Sequence, residues 1–199
     1  MRFLRRPFDA IGRARVAILT FAAVYALSVL LGIAMVMSGD AFALARRDDI
    51  VAGAQSGATL TADRGGDHLR AALLDFAENL VVGAIPSTLM GLTVIGSYPI
   101  AAYRGWIGGI VSVDGDHRSR LADPARALYY VVTLVLELIP YSIAGGMGVY
   151  LGVGAWRELR RHPGSWSLPL PRDRVTDTAL AYAVIAPLFL VASLWEFLA

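Results

Sequence analysis

One carboxylate, that of Glu137, lies in the middle of the almost unbroken apolar stretch 127–156. A charged side chain at the centre of a membrane span costs about 2.5–3.5 kcal/mol on insertion scales, so such a residue is expected to be paired or functional. Pro140 follows and removes the amide that would bond the carbonyl of Leu136, which predicts a kink or an opening of the helix. Tyr141 adds a hydroxyl beside this break. The combination predicts a polar pocket inside a membrane helix.

Arg104 carries the only charge within the neighbouring apolar residues 79–113, so it is the expected ion-pair partner of Glu137. The alternative keeps Glu137 protonated and hydrogen-bonded to a backbone carbonyl or a hydroxyl group.

The composition indicates the class of protein. The chain has 199 residues, of which 56% are hydrophobic and 17% charged, whereas soluble domains carry about 25% charged residues. We therefore predict an all-α, polytopic integral membrane protein in which residues 1–199 form a single helical-bundle domain. The net charge of +2 does not indicate nucleic-acid binding, and the absence of cysteine excludes disulfides and cysteine-ligated metals.

The apolar runs predict about five transmembrane segments, and four segments plus a re-entrant hairpin are the alternative. The predicted spans are residues 16–37, 79–96, 98–113, 127–156 and 177–198, with an external polar segment at 38–78. The two alternatives differ over residues 79–113, which contain two prolines and six glycines and are too long for one ordinary span.

The distribution of charge predicts the orientation. Five arginines among the first fifteen residues place the N-terminus in the cytoplasm, and five arginines against two acids place residues 157–174 on the same side. Segment 38–78 has seven acids against four arginines and is expected outside. An odd number of crossings must then separate it from 157–174, which favours two crossings for 79–113. The expected location is the cytoplasmic (inner) membrane of a bacterium or archaeon.

The first span is expected to remain as an anchor, because its apolar run is longer than the roughly 7–15 residues of a cleaved signal. In the external segment, residues 53–66 are rich in Gly, Ser and Thr and predict a loop. Asp67 is a predicted N-cap, and apolar residues at helical spacing follow it. These residues form either a helix lying in the membrane interface or the beginning of the next span, and we favour the second interpretation.

Small residues indicate close contacts between helices. Ala144, Gly148 and Gly152 are spaced four apart, so another backbone can approach that helix face. The glycines predicted to pack helices together are Gly145, Gly148, Gly152, Gly105 and Gly108.

The sequence contains no recognisable catalytic or metal-binding pattern. The motif Asp114-Gly115-Asp116-His117 groups three ligand-type side chains, but no partners at motif spacing accompany it, and we interpret it as a solvated turn. All three histidines fall in predicted loops, and no HExxH or GxSxG pattern is present. We therefore predict a non-enzymatic protein with no catalytic residues, no metal and no cofactor.

Two stretches resemble the stage II sporulation protein M family, over roughly residues 70–157 together. The first runs from Phe76-Ala77-Glu78-Asn79-Leu80 through Gly91 and Gly96 to Gly105-Trp106-Ile107-Gly108. In that family an Asn opens a glycine-rich hairpin, and a second Asn precedes a glycine in its second half. Arg104 stands at the position of this second Asn.

The second stretch contains Glu137 followed by Gly148 and Gly152, in step with the glutamate and downstream glycines of the family. The family has Pro-His-Gly just before that glutamate, whereas this chain has Val132-Thr133-Leu134. The residues that the sequence and the resemblance together nominate for function inside the membrane are Glu137, Arg104, Pro140, Tyr141 and Asn79.

The resemblance implies a helical membrane protein that works through partners. In sporulating bacteria the family acts with a membrane-anchored hydrolase pair in cell-wall remodelling during engulfment. We therefore expect a scaffold or recruitment component of a membrane complex, in cell-envelope remodelling. The alternative is the permease subunit of an ABC-type or ion-coupled transporter, with Glu137 and Arg104 lining its path.

The expected partners are the lipid bilayer and other membrane proteins, in a homo- or hetero-oligomer. An ATPase would accompany a transporter, and a wall-hydrolase system would accompany a scaffold. Nucleic acid is not an expected partner.

Overall fold

The structure is a computed structural model that describes residues 2–162 and 169–198. Every regular element among these residues is helical. The helices are α1 (Arg2–Arg13), α2 (Arg15–Met37), α3 (Ala41–Gln55), α4 (Ala58–Arg64), α5 (His68–Ala77), α6 (Ile85–Met90), α7 (Ser97–Ile110), α8 (Pro124–Arg161) and α9 (Arg172–Leu198). A π-helical turn, Glu78–Ala84, joins α5 to α6, and short 3₁₀ turns are present at Gly91–Thr93 and Arg120–Ala122. The predicted loop 157–174 falls partly outside the described residues.

Four helical stretches are long and apolar enough to cross a membrane. They are Arg15–Met37, His68–Thr93, Pro124–Arg161 and Arg172–Leu198. Three of them contain the predicted spans 16–37, 127–156 and 177–198. The predicted span 79–96 began too late, because the helix starts at His68 and continues through the π-helical turn. The start was not recognisable from the sequence, because charged residues in the first turns of the helix lower the local hydropathy.

The predicted span 98–113 largely coincides with helix α7, which is not among these four stretches. Its 14 residues cover about 21 Å at 1.5 Å per residue, less than the hydrocarbon core of about 30 Å. Helix α7 lies alongside α2 and runs in the same direction. Tyr98 Oη is 3.0 Å from Thr20 Oγ1 near one end, and Gly109 packs on the Val29 carbonyl near the other.

Contacts between helices show that five segments alternate in direction. His68–Thr93 runs parallel to α8, since Thr88 packs on Gly148 and Gly91 packs on Gly152. Helix α9 returns antiparallel to α8. The end at which α2 and α9 begin and α8 ends is called the basic end below. Its arginines are Arg13, Arg15, Arg157, Arg160, Arg161, Arg172 and Arg174.

The hairpin formed by His68–Thr93 and α7 turns at the basic end. Val94 at its tip has φ of 65° and ψ of −49°, and Ile95 N donates to Thr93 O at 2.8 Å. This is a γ-turn, and a β-branched residue at positive φ costs of order 1–3 kcal/mol. The indole of Trp156 on α8 donates to the Leu92 carbonyl at 3.1 Å and ties the tip to α8.

Residues 38–67, part of the segment predicted to be external, are more helical than predicted. Helix α3 ends at Gln55, and α4 occupies half of the stretch 53–66, so the loop predicted there is wrong. Gly57 is extended at the N-cap of α4, and Gly66 has φ of 81° after its end. The glycines therefore mark the ends of helices.

Asp67 is the N-cap of α5, as predicted, because its side chain accepts from Arg70 N at 3.2 Å. The helix that follows is the beginning of His68–Thr93. The helix thus runs without a break into that stretch, and the favoured interpretation, the beginning of a span, stays a prediction.

Glycines allow pairs of helices to touch backbone to backbone. A Cβ atom added at Gly148 would meet the carbonyl of Thr88, and one at Gly152 would meet the carbonyl of Gly91. On α7, Gly105 lies against the carbonyl of Tyr25 on α2. These positions have no room for a methyl group.

The other two predicted packing glycines face side chains. Gly145 lies against the ring of Phe21. A Cβ atom at Gly108 would lie 3.0 Å from Leu134 Cδ1, and the Gly108 carbonyl accepts from Tyr130 Oη at 2.8 Å. All five predicted glycines therefore pack inside this chain.

Helix α3 is held to the loop between α7 and α8 by an ionic cluster at the end opposite the basic end. Arg47 Nη1 donates to Asp48 Oδ1 at 2.9 Å, and His117 Nε2 lies 2.9 Å from Asp48 Oδ2. The motif containing His117 forms a turn, in which Asp114 Oδ1 accepts from the backbone nitrogens of Asp116 and Arg118 at 3.0 Å.

We expect Gly148→Ala to lower the free energy of unfolding by about 1–3 kcal/mol, because the new methyl group separates α8 from α6. The measurement is the thermal unfolding midpoint in detergent. Gly53→Ala is the control, since nothing lies within 4 Å of a Cβ atom there. Alanine should stabilise that exposed helical site by about 0.5–1 kcal/mol. Equal midpoints for the two variants would contradict the backbone contact.

We expect acid to release α3 from the bundle. The hydrogen bonds from Arg47 and His117 lower the pKa of Asp48. The stabilisation by Asp48 is therefore present above the ordinary carboxyl pKa of about 3.9 and is lost as the pH falls through the lowered value. The protection of the α3 amides against hydrogen exchange, measured relative to the intrinsic exchange rate at each pH, should fall below about pH 4. In the Asp48→Asn variant, the α3 amides should be poorly protected both above and below about pH 4. A variant with the same protection as the wild type at every pH would refute the role of the cluster.

Candidate functional site within the bundle

Tyr141 is the centre of a chain of hydrogen bonds between helices. Its side chain is buried, with 1% of the residue exposed. Arg104 Nη1 on α7 donates to Tyr141 Oη at 2.7 Å, and Tyr141 Oη donates to Asn79 Oδ1 in the π-helical turn at 2.6 Å. The hydroxyl is therefore used both as acceptor and as donor.

The chain of hydrogen bonds continues to α9. Asn79 Nδ2 donates to Asp75 Oδ2 at 2.9 Å, and Ser193 Oγ donates to the same oxygen at 2.7 Å. These bonds join α5, the π-helical turn, α7, α8 and α9. We call Asp75, Asn79, Arg104, Tyr141 and Ser193 the Tyr141 network.

The local structure makes space for the tyrosine. A Cβ atom at Gly83, within the π-helical turn, would meet the hydroxyl of Tyr141 and lie 2.8 Å from its Cε1 atom. π-Helical turns are frequent at functional sites, because they alter the direction of side chains within a helix. The ring also contacts Phe189 edge-on, with centroids 4.7 Å apart. Arg104 Cζ lies 4.4 Å from the ring centroid, a distance that permits a cation–π interaction.

Glu137 lies next to this network but outside its hydrogen bonds. It is half-buried and faces a cavity of about 670 Å³ that Arg104 also lines. The walls come from α2, α7 and α8 and include Tyr25 and Tyr103. Within residues 2–162 and 169–198, no ion pair or hydrogen bond involves the Glu137 side chain.

The predicted ion pair between Arg104 and Glu137 is therefore wrong for this structure, although both side chains reach the same cavity. The physical reason is the spacing on α8. Tyr141 follows Glu137 by four residues, so both lie on one helix face and compete for the same guanidinium. In this structure the guanidinium of Arg104 bonds Tyr141, whose hydroxyl also donates to Asn79.

Pro140 does not open α8, so of the two predicted outcomes, a kink and an opening, the opening is wrong. The helix continues as one element of 38 residues, and Pro140 is buried in it. The proline still leaves the Leu136 carbonyl without its helical donor. Nearby, Ser142 Oγ is buried and has no hydrogen-bond partner among the described residues.

Three residues of the site were missed by sequence reasoning. Asp75 was assigned to the external segment, Gly83 was counted only as one glycine of the hairpin, and Ser193 was not distinguished from its neighbours. The spacing of Asp75 and Asn79, four residues apart, was the available signal for a polar face on a helix. No such signal existed for Ser193, since its role depends on how α9 packs.

The chemistry available at the site is polar and ionic. Among the described residues, no three His, Asp or Glu side chains are placed to hold a metal ion. The network links a formal positive charge on Arg104 to a formal negative charge on Asp75 through two neutral groups. Such an arrangement can fix the register of helices, and the free carboxyl of Glu137 can take up or release a proton at the cavity.

We expect Tyr141→Phe to lower the free energy of unfolding by about 1–3 kcal/mol, because the half-buried side chains of Arg104 and Asn79 both lose their hydrogen bond to the hydroxyl. Thermal unfolding in detergent measures the effect. Tyr129→Phe is the control, because its hydroxyl donates to the backbone carbonyl of Glu196 at an exposed position. If both variants unfold at the wild-type temperature, the network does not stabilise the bundle.

Comparison with known proteins identifies no relative of this chain. No family model, no curated protein and no solved structure matches the chain. The resemblance to the stage II sporulation protein M family stays a hypothesis that rests on the residues quoted for it.

Proposed function

We propose that the chain is a multi-pass protein of a bacterial or archaeal cytoplasmic membrane and acts as a non-enzymatic scaffold or recruitment component of a membrane complex. The four long apolar helices support the membrane location. The concentration of arginine at the basic end supports a cytoplasmic position for that end and for the N-terminus.

One observation carries the proposal. The residues quoted for the family resemblance come from two separate stretches of sequence, and they converge on one site. Asn79 and Arg104 are joined through Tyr141, and Glu137 faces the cavity that Arg104 lines. Gly148 holds the same two stretches together by its contact with Thr88. The residues quoted for the resemblance therefore lie together at one site of this chain. This supports a role like the one that the resemblance implies.

The packing favours a fixed bundle. Backbone contacts at Gly105 and Gly148, together with the hydrogen-bonded network, hold α2, α7 and α8 in one arrangement. A carrier that alternates its access must move one set of helices against another. A fixed bundle is better suited to presenting surfaces to partner proteins, whether a wall-hydrolase system or further copies of the chain.

In this proposal the hairpin of His68–Thr93 and α7 crosses the membrane twice, so the chain passes five times. The position of its tip beside Trp156 at the basic end supports this topology. The shortness of α7 is compensated by its contact with α2 along most of its length.

Ion-coupled transport is a second candidate, and a specific observation favours it. Glu137 and Arg104 share a cavity of about 670 Å³ within the bundle, and the carboxyl group of Glu137 makes no bond to a described residue. Intramembrane acids next to cavities are common features of proton pathways.

Glu137→Gln separates the two candidates. In a scaffold, we expect proteoliposomes of the wild type and of the variant to show no proton flux down an imposed pH gradient, as reported by an internal pH dye. We also expect the two proteins to unfold at the same temperature, because Glu137 is outside the network. Proton flux in the wild type that disappears in Glu137→Gln would establish the transporter instead.

The partners themselves can be tested by photo-crosslinking in the native membrane. A photoreactive amino acid at Leu27, which is 66% exposed on α2, should give discrete protein adducts in a scaffold. The same probe at Ile185, which is fully buried on α9, is the control and should give none. Protein adducts absent at Leu27 and at further exposed sites such as Val82 and Val191 would contradict the proposal.

A further inference from the structure

Two adjoining cavities lie at the basic end, between the beginning of α2, the end of α8 and the tip of the hairpin. Their volumes are about 440 Å³ and about 370 Å³. Both are lined by Val94, Val153 and Arg157, so they are separated by these side chains alone. We call the pair the basic-end groove.

The charged side chains that line the basic-end groove are all arginines. They are Arg13, Arg157, Arg160 and Arg174. Two of them are held by the protein. Arg13 Nε donates to Asp177 Oδ2 at 2.7 Å, and Arg174 stacks on the ring of Tyr150, with its Cζ 4.2 Å from the centroid.

The other two arginines are available to a ligand. Arg157 and Arg160 are exposed, and neither forms an ion pair or a hydrogen bond with a described residue. The acid nearest to them in sequence, Glu158, bonds Arg161 at 2.8 Å. The groove therefore presents two uncompensated positive charges, one helical turn apart, at its mouth.

The remaining walls are largely apolar. Val16, Ala17 and Val149 line the larger cavity, and the exposed Ile95 lines the smaller one. An inorganic anion would gain nothing from these walls, whereas the first methylene groups of an acyl chain would bury apolar surface against them. Trp156, which also lines the groove, is of the residue type that anchors proteins at the headgroup level.

We propose that the basic-end groove binds the headgroup phosphate of an anionic phospholipid from the cytoplasmic leaflet. Arg157 and Arg160 contact the phosphate oxygens, and the valine-rich walls take the beginning of an acyl chain. Arginine suits this role, because its planar guanidinium donates two parallel hydrogen bonds to phosphate. Basic pockets between helices on the cytoplasmic side are a known form of lipid site. The assignment rests on the membrane orientation in the proposed function, but not on the identity of any protein partner.

The test uses the full chain purified in detergent, with retention of added phosphatidylglycerol or phosphatidylcholine measured by native mass spectrometry. We expect phosphatidylglycerol to be retained in preference to phosphatidylcholine. The double variant R157Q/R160Q should weaken this retention by about tenfold or more, since two charges near a phosphate are lost. Arg15→Gln is the matched control, because it removes an exposed arginine of the basic end that does not line the groove, and it should retain lipid like the wild type.

Equal retention by R157Q/R160Q and the wild type would overturn the proposal, as would equal retention of the two lipids. Inorganic phosphate is the third probe. If it displaces phosphatidylglycerol at matching concentration, the groove is a phosphate site and the lipid assignment fails. Should the double variant unfold, R157K/R160K keeps the charge and loses the paired hydrogen bonds, and it should show an intermediate loss. Protein crosslinks from Leu27 do not depend on these outcomes, so failure here is distinguishable from failure of the scaffold.

Discussion

The structure depends on one hydroxyl group that forms hydrogen bonds with two half-buried partners at once. Tyr141 Oη accepts from Arg104 and donates to Asn79, and the polar surface of α7 and of the π-helical turn can be buried only while it does so. In an apolar surrounding, a lost partner leaves its counterpart without water to replace it. The helices around Tyr141 are consequently constrained by a directional bond, in addition to the apolar packing that any membrane bundle has.

The close backbone contacts act on the same helices in a different way. Gly105 and Gly148 bring α7 to α2 and α8 to α6 at distances that larger residues forbid. Lipid-exposed helices gain little from apolar contact with each other, because lipid is equally apolar, so close packing and hydrogen bonds specify the arrangement. Both devices act on α7 and α8, the helices that contribute Arg104 and Tyr141.

Much of this could be predicted from the sequence. Long apolar runs fixed the helical class and three of the spans, and a lone acid with a lone arginine pointed to the correct region of the bundle. The sequence could not show that Tyr141, one turn from Glu137, would take the guanidinium, because both acceptors lie on one helix face. The start of the second long helix could not be recognised from the sequence either. Asp75 was assigned to the external segment, and its hydrogen bonds with Ser193 and Asn79 are apparent only in the structure.

If the hairpin crosses the membrane twice as proposed, helix α7 has a consequence for biogenesis. It is short for a membrane segment and contains Arg104, whose insertion alone would cost about 2.5–3.5 kcal/mol. The groups that stabilise Arg104 and the end of α7 are the hydroxyls of Tyr141 and Tyr130, and both belong to α8, which is synthesised later. Stable integration of the hairpin therefore has to await the emergence of α8 from the ribosome. The order of assembly is encoded in the order of these residues along the chain.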